Sequence, residues 1–535
     1  MSRELNVGSV FPSDEQGRMT EIVRPNHAKN SLLGIARIPP EILGRIFQFA
    51  ITDETIDPDF AGIPKDSYKF LLVCHHWHEV ARRTPELWCS WGNNLEDWKL
   101  WHSRSGTSAL DLVLDTPEYR RRSFDGTLQA ALKDRAAHGV IRKVHLRPSN
   151  GSLSASILSS LTPEDEVIRD SSIESIILCS VDPTNFFARH RFPKLRYLSL
   201  LFCPDFALAP LKSHTMALVD LALTTDSRIC TSAPTMSQIL SLLASNPNLR
   251  TLFLRLPVFE DDSKHDLRNP VPLRHLEELS LIGRMTHMFS ILERLEFYGT
   301  VDQASLVLSD CVLEEIGQVV GLYLRDYLQR DPRFRDKFGI SLKPGHGYNS
   351  ICVDVFGVGD HGLRQLPRQD PPRASFTMSP PPKTPEEATK MFTDIFKPLP
   401  PEKIVYFETE PLDTKELHIE EILVAMPSIE FLHITGARVS DGFLLPKPDG
   451  QNANKNLLPS LRRVYLERVF AENDDWGPLI HYLTHQTFDG QSVSLSMFDG
   501  WADVCSETVE QLESLVEELY IEKPDLCSEG SESGE

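Results

Sequence analysis

Four residues that could bind a metal ion stand together in one short segment, at Cys74, His75, His76 and His78. If this segment is helical, Cys74 and His78 share a face, because residues four apart lie one above the other on a helix. A structural zinc site needs four ligands that converge as a tetrahedron. The chain offers no CxxC pair and no second histidine pair to complete one, so the sequence predicts no metal site.

A glycine motif of the nucleotide-binding type, GxGxxG, runs from Gly357 to Gly362 after a strand-like segment. A dinucleotide site needs this motif to open a helix, because the helix N-terminus binds the pyrophosphate. The residues that follow, LRQLPRQDPPR, contain too much proline to form that helix. We therefore interpret the motif as a turn. The chain has no GxSxG, P-loop or HExxH motif, and we predict no catalytic residue and no cofactor.

Composition narrows the classes of partner and compartment. The chain has 535 residues, 41% of them hydrophobic, and a formal net charge of −21. This charge argues against nucleic acid or an anionic membrane as the main partner, because both would be repelled. No apolar segment has the length of a signal peptide or of a membrane span, and none of the nine cysteines forms a CxxC pair. We expect a soluble protein of the cytoplasm, the nucleus or both, with reduced thiols.

The elements near the N-terminus are predicted to be short helices. Pro39-Pro40-Glu41 is a helix-start signal, and the apolar residues from Ile42 to Ala50 recur at helical spacing. A second apolar stripe from Phe70 to Ala81 predicts another helix, which ends near Thr84-Pro85. Five of the chain's seven tryptophans lie between Trp77 and Trp101. Such a cluster indicates the core of a small domain or an adhesive surface.

A repeated pattern, apolar-x-x-apolar-x-apolar, dominates the rest of the chain. The alternation of its last two apolar residues is typical of a short strand with one buried face. Its spacing, mostly 22 to 32 residues, is that of leucine-rich repeats, with helices predicted between strands over 235–245 and 476–486. The copies begin at Ile141, Ile173, Leu195, Leu218, Leu249, Leu276, Leu292, Ile429 and Leu461.

The repeat is interrupted over residues 298–428, where no good copy occurs. Strands are predicted there over 304–308, 351–356 and 404–407, and a long helix over 312–328. Residues 366–384 are rich in proline and are predicted to form a surface loop. An amphipathic helix is predicted over 507–520. The expected fold class is α/β: a small all-helical module followed by an irregular leucine-rich-repeat-like horseshoe.

Residues 38–88 resemble an F-box. The family pattern opens with Ile/Leu-Pro-x-Glu-Ile/Leu-Leu, continues with Val-Cys-x-x-Trp and closes with Leu-Trp. The matching segments are Ile38–Leu43, Val73–Trp77 and Leu87-Trp88. The following residues, from Trp98 to Leu114, resemble a large fungal F-box family with degenerate leucine-rich repeats. The implied domains are a disordered leader (1–30), the F-box (31–101), the repeat domain (102–520) and an acidic disordered tail (521–535).

The resemblance implies a substrate-recognition subunit of a Skp–cullin–F-box ubiquitin ligase, without catalytic residues of its own. The F-box would bind a Skp-type adaptor and through it a cullin–RING ligase, and the repeat domain would bind a protein substrate. The residues that match the family's adaptor contact or its immediate support are Pro39, Ile42, Leu43, Ile46, Val73, Trp77 and Trp88. The same side chains could instead form a private helical core. Two other functions stay open: a scaffold without a ligase role, and a repeat protein with a decayed F-box.

Strand geometry suggests where a substrate would bind. In each repeat, the residues flanking the inward-facing leucines would face the concave side of a horseshoe. Most of these residues fit ordinary solvated strand positions, but an exposed row of aromatic side chains favours an interface, because aromatic residues are enriched in protein interfaces. The candidate substrate-binding residues are Tyr197, Phe253, Arg255, Phe431, His433, Arg463 and Tyr465.

Overall fold

The computed structural model divides the chain into two compact units, Met1–Leu218 with Arg228–Ser232, and Val219–Ser227 with Ala233–Glu535. Both are mixed α/β with mostly parallel strands, which confirms the expected α/β class. The leader and nearly all of the acidic tail lie outside the described residues. The structure describes residues 37–52, 67–91, 98–114, 126–147, 151–162, 168–203, 217–225, 234–256, 270–297, 301–311, 313–330, 337–344, 350–358, 374–379, 381–382, 384–410, 419–436, 458–469, 476–488, 492–498 and 504–522.

The first unit begins with short helices whose bounds follow local sequence signals. Proline and glutamate occupy the first turn of the first helix. The helix that the sequence predicted from Phe70 to Ala81 is in fact two helices, because Cys74 adopts an extended conformation between them. The second of these ends before Pro85, since a residue that precedes proline disfavours helical geometry. The helices are α1 (Pro40–Thr52), α2 (Ser67–Val73), α3 (His75–Arg83), a 3-10 turn (Pro85–Trp88), α4 (Trp98–Ser105), α5 (Gly126–Ala137), α6 (Gly151–Leu161) and α7 (Thr184–Arg189).

The strands of the first unit confirm the strands predicted from the repeat. β1, β2, β3, β5 and β7 pair in parallel and in chain order. The register places Leu112, Val144, Ile176 and Leu198 side by side, so these buried residues form one apolar row across the sheet. β4 and β6 form a separate parallel pair. The strands are β1 (Ser90–Trp91), β2 (Leu110–Leu114), β3 (Ile141–Leu146), β4 (Arg169–Asp170), β5 (Ser175–Cys179), β6 (His190–Arg191) and β7 (Tyr197–Leu201).

The helices of the second unit confirm most of the sequence predictions, with one correction near the C-terminus. The helix predicted over 507–520 ends at Leu515, and residues 519–521 form a strand instead. The first helix of this unit has a capping box, in which Thr235 and Gln238 exchange hydrogen bonds. The helices are α8 (Met236–Ala244), α9 (Met285–Leu292), α10 (Leu313–Arg330), α11 (Pro385–Phe396), a 3-10 turn (Pro401–Lys403), α12 (Ile419–Val424), α13 (Gly477–Phe488) and α14 (Ser506–Leu515).

The strands of the second unit are β8 (Asp220–Thr224), β9 (Thr251–Leu256), β10 (Val271–Pro272), β11 (Glu278–Arg284), β12 (Leu295–Glu296), β13 (Gln303–Ser309), β14 (Phe338–Pro344), β15 (Ile351–Gly357), β16 (Ala374–Met378), β17 (Ile404–Thr409), β18 (Phe431–Thr435), β19 (Arg463–Glu467), β20 (Ser494–Phe498) and β21 (Leu519–Ile521). The main sheet has the order β8–β9–β11–β13–β16–β15–β14–β17–β18–β19–β20–β21. Only β15 runs antiparallel to its neighbours.

The interruption of the repeat has a structural explanation. β13, β15 and β17 confirm the predicted strands, while β14 and β16 were not predicted. β16 lies inside residues 366–384, so the prediction of a continuous loop there was wrong. Its sequence, ASFTM, alternates buried and half-buried residues as a strand should, although prolines flank it. The repeat copy at Leu292 was also misassigned, because its strand β12 pairs with β10 outside the main sheet.

None of the helices in the described ranges is both long and apolar enough to cross a membrane.

Candidate protein-docking surfaces

Helix α1 has two apolar faces with different environments. Leu43 and Phe47 are fully buried. Ile42, Ile46 and Phe49 repeat at i, i+4 and i+7 and leave 48%, 44% and 72% of their surfaces exposed. The sequence predicted a single apolar face, but apolar residues in fact cover more of the helix than its own core requires. The stripe therefore presents large apolar side chains at the surface of α1.

The buried face of α1 packs on aromatic rings from the next two helices. Phe47 stacks on Phe70 with 4.5 Å between ring centroids and contacts Trp77 at 5.0 Å. Gly44 lies directly against Thr84, where a β-carbon would stand 3.0 Å from Oγ1. Thr84 Oγ1 itself donates a hydrogen bond to the Val80 carbonyl. These contacts fix the orientation of α1 and so determine which of its side chains face outward.

Helix α2 adds two further exposed apolar side chains, Leu72 (83% exposed) and Val73 (54% exposed). The extended conformation of Cys74 ends the helix at this point, so the two residues stand at its last turn. We call Ile42, Ile46, Phe49, Leu72 and Val73 the exposed apolar set. Five large apolar side chains left in solvent by such short helices are typical of a surface that binds another protein.

The predicted adaptor-binding residues divide into a surface group and a supporting group. Pro39, Ile42, Ile46 and Val73 are exposed, and Trp77 is half-buried. Leu43 and Trp88 are buried. Trp88 donates its indole N–H to the Ala81 carbonyl at 2.8 Å, and its ring packs edge-on against Trp101. Leu43 and Trp88 can therefore support a partner site but cannot contact the partner directly.

Phe49 and Leu72, the two most exposed residues of the set, were not among the predicted adaptor-binding residues. Phe49 had a detectable signal, because it follows Ile42 by seven residues and Ile46 by three. Leu72 had none, because its exposure depends on where the chain breaks between α2 and α3. In the described ranges, including Cys74 and the neighbouring histidines, no group of three or more His, Cys, Asp or Glu residues is arranged to hold a metal.

The second unit presents a different candidate surface, on the sheet face opposite the leucines. Glu408, His433, Tyr465 and Ser496 are paired in register on β17, β18, β19 and β20. His433 is fully buried among them. Its Nδ1 lies 2.9 Å from the Tyr406 hydroxyl, and its Nε2 lies 3.2 Å from Glu467 Oε2. The histidine thus ties three strands together through polar contacts.

The expectation of an exposed row of aromatic residues on this face is only partly correct. Phe431, His433 and Tyr465 are buried instead, because rings on adjacent strands pack against each other. Contacts of 5 to 6.5 Å connect six rings across β15 to β21 in one continuous aromatic row. Its members are Phe356, Tyr406, His433, Tyr465, Phe498 and Tyr520. Only the β21 end of this row is open, since Tyr520 is 54% exposed.

The remaining substrate-binding candidates are more scattered. Arg463 is half-buried beside the aromatic row, with its guanidinium 6.0 Å from the Tyr465 ring centroid and 3.2 Å from Glu518. Phe253 is half-buried and Arg255 exposed on β9 of the same unit. Tyr197 is half-buried and belongs to the other unit. The structure therefore brings together Phe431, His433, Arg463 and Tyr465, but not the whole predicted set.

The sequence matches no protein-family model. A search of curated proteins likewise finds no significant match.

Proposed function

We propose that this protein is the substrate-recognition subunit of a Skp–cullin–F-box ubiquitin ligase, in which residues 38–88 bind a Skp-type adaptor and the repeat domain binds a protein substrate. The observation that carries the proposal is the exposed apolar set. Three of its members, Ile42, Ile46 and Val73, coincide with positions of the F-box-like motif. Apolar side chains that remain in solvent at these positions are what an adaptor-binding site requires.

The buried members of the motif support the same proposal in a different way. Leu43 is buried on α1, and Trp88 holds the 3-10 turn against α3, on which α1 packs, so the motif contributes both surface and scaffold. If these residues served only the hydrophobic core of this chain, Ile42 and Ile46 would be buried as well. The parallel strands and intervening helices of the second unit supply an extended sheet face, which suits recognition of a second protein.

The experiment that tests the proposal is co-purification of the full chain with a purified Skp-type adaptor. We expect a stoichiometric complex for the wild type. Ile46→Glu should abolish it, because a charge placed in an apolar interface must be desolvated without a partner. Leu322→Glu on α10 is the matched control, since Leu322 (45% exposed) and Ile46 (44%) have nearly equal exposure. A folded wild type that fails to bind, or an Ile46→Glu variant that binds normally, refutes the adaptor site.

Ubiquitin transfer distinguishes a ligase subunit from a scaffold. The adaptor complex, reconstituted with cullin, RING subunit and ubiquitin-loading enzymes, should modify a protein captured by the repeat domain. Modification that disappears with Ile46→Glu supports the ligase role. Stable adaptor binding without transfer to any captured partner favours the scaffold alternative.

A further inference from the structure

The open end of the aromatic row has a defined chemical character. Tyr520 packs against Phe498 with 5.7 Å between ring centroids, and Phe498 stacks on buried Tyr465 at 6.3 Å. Tyr520 is thus the exposed outermost ring of a row whose inner members are fixed in the sheet. A ring held in this way loses little conformational freedom when it binds a ligand. One face of an aromatic ring carries negative electrostatic potential, which attracts cations.

Acidic residues lie on the same face of the sheet as this ring. Glu518 and Glu522 flank the three-residue strand β21 and continue its hydrogen bonds with β20, so as alternate residues they share the face of Tyr520. Glu467 occupies the corresponding face of β19. Three glutamates stand here against two arginines, because Arg463 pairs with Glu518 at 3.2 Å and Arg468 pairs with Glu467 at 3.7 Å. The local surface therefore has excess negative charge in addition to an exposed aromatic ring.

We propose a binding surface for a basic segment of a protein partner, in which a lysine or arginine side chain lies on the Tyr520 ring. The surface is formed by Tyr520, Phe498, Glu467, Glu518 and Glu522. The inference that the basic segment belongs to a ubiquitination substrate rests on the proposed function. The binding surface itself can be tested without the adaptor. We call these five residues the aromatic–acidic surface.

Charge and geometry favour a basic occupant over the alternatives. The net charge of −21 attracts a basic segment at long range and repels nucleic acid and acidic peptides. At short range an arginine or lysine gains both a cation–π contact with Tyr520 and ion pairing with the glutamates. A purely apolar peptide would gain only the ring contact and would bury the carboxylates without compensation.

The test uses the full chain and a fluorescent peptide of alternating arginine and glycine, with its binding measured by fluorescence anisotropy. A peptide of the same length with glutamine in place of arginine is the charge control. We expect Tyr520→Ala to weaken binding of the arginine peptide about threefold to tenfold, the usual size of a cation–π contact. Tyr520→Phe should stay within about twofold of the wild type, because it retains the ring. Glu522→Gln should also weaken binding, although it leaves the ring unchanged.

Leu322→Ala is the matched control, because it truncates another exposed apolar side chain that belongs to neither proposed surface. It should leave peptide binding unchanged. Binding that is insensitive to Tyr520→Ala would reflect general attraction to an acidic protein and would overturn the inference. Equal affinity for the glutamine peptide, or no binding of the arginine peptide, would also overturn it. Adaptor binding is measured separately with Ile46→Glu, so failure of this surface and failure of the proposed function give different results.

Discussion

At the scale of single residues, Arg135 is a buried cation that connects the tryptophan-rich segment to α5. It is only 4% exposed. Its guanidinium donates to Ser105 Oγ at 2.9 Å and to the Ser108 carbonyl at 3.3 Å, and lies 5.9 Å from the Trp91 ring centroid. Burial lowers the pKa of this guanidinium, with opposing contributions from Cys89 and Asp134. The group therefore depends on its hydrogen bonds for compensation.

Arg135→Ala should lower the free energy of unfolding by about 2–4 kcal/mol, because it removes several hydrogen bonds and leaves buried acceptors unpaired. Chemical denaturation would measure the change. Lys133→Ala, an exposed position on the same helix, is the control and should change stability by less than about 0.5 kcal/mol. Equal effects of the two substitutions would show that Arg135 contributes nothing beyond a solvated charge.

Leu43 and Ile46 should separate stability from binding. Leu43 is fully buried and Ile46 is nearly half exposed. Leu43→Ala should lower the free energy of unfolding by about 2–5 kcal/mol, the range for a buried leucine, while Ile46→Ala should have little effect on it. Ile46→Ala should instead weaken adaptor binding by about 1–2 kcal/mol.

Thermal unfolding and adaptor binding are measured on both variants. The reverse pattern, with a stable Leu43→Ala and an unstable Ile46→Ala, would contradict the assignment of the two faces. Sequence alone could not make this assignment. Ile42, Leu43, Ile46 and Phe47 are all apolar and lie on two successive turns, so their periodicity indicates a helix but not which side is covered.

At the scale of elements, α10 and α11 pack closely because two glycines of α10 have no side chains. A β-carbon at Gly317 would meet the Asp394 β-carbon at 2.6 Å, and one at Gly321 would meet the Ile395 carbonyl at 2.6 Å. Both distances are shorter than atoms tolerate, and both partners belong to α11 or its backbone. The spacing of four residues places the two glycines on the same face of α10.

Gly321→Ala should therefore destabilise the protein, by about 1–3 kcal/mol through overpacking. The direction of the change in stability is informative, because the same substitution in the interior of an uncrowded helix stabilises the protein by up to about 1 kcal/mol. Leu322→Ala, at the adjacent exposed position, is the control and should have a small effect. An increase in melting temperature for Gly321→Ala would mean that α10 and α11 do not pack as described.

The strands were predictable from the sequence wherever the repeat was intact. β3, β5, β7, β9 and β19 each contain the last two apolar residues of a predicted copy, and those residues are buried. β14 was missed even though Phe338, Ile340 and Leu342 alternate, because it is not part of a repeat copy. Gly339, within this strand, lies beneath the Phe356 ring, where a β-carbon would be 2.4 Å away. Such a contact depends on the antiparallel pairing of β15, which no local pattern predicts.

At the scale of the whole molecule, the two candidate surfaces were also only partly predictable from the sequence. The F-box-like motif identified the helices of the exposed apolar set, and strand alternation identified the face that carries the aromatic row. Neither pattern could predict exposure, which depends on contacts between distant residues. Tyr520 was assigned to a helix, so the open end of the row could not be found before the strand β21 was known.

Sensitivity to acid is expected in the first unit, because it contains three histidines with a lowered pKa. Burial is the largest cause of the lowered pKa of His102, His145 and His190, all of which lie in this unit. The pKa of His145 falls from 6.5 to about 4, with a smaller contribution from Lys143. A folded-state pKa below the unfolded value means that protonation favours the unfolded chain. The stabilisation is complete above pH 6.5 and is lost as the pH falls toward 4.

The stability of the first unit in acid should depend on His145. His145 Nε2 lies 2.8 Å from Ser175 Oγ, a contact that a glutamine side chain can reproduce without being protonated. Wild-type stability should fall by up to about 3 kcal/mol between pH 6.5 and 4 through His145, and His145→Gln should remove that part of the slope. Hydrogen exchange of β3 and β5, measured across this window, would follow the loss directly. His138→Gln, at an exposed position directly after α5, should keep the wild-type slope. If His145→Gln also keeps it, the buried imidazole is not what makes this unit sensitive to acid.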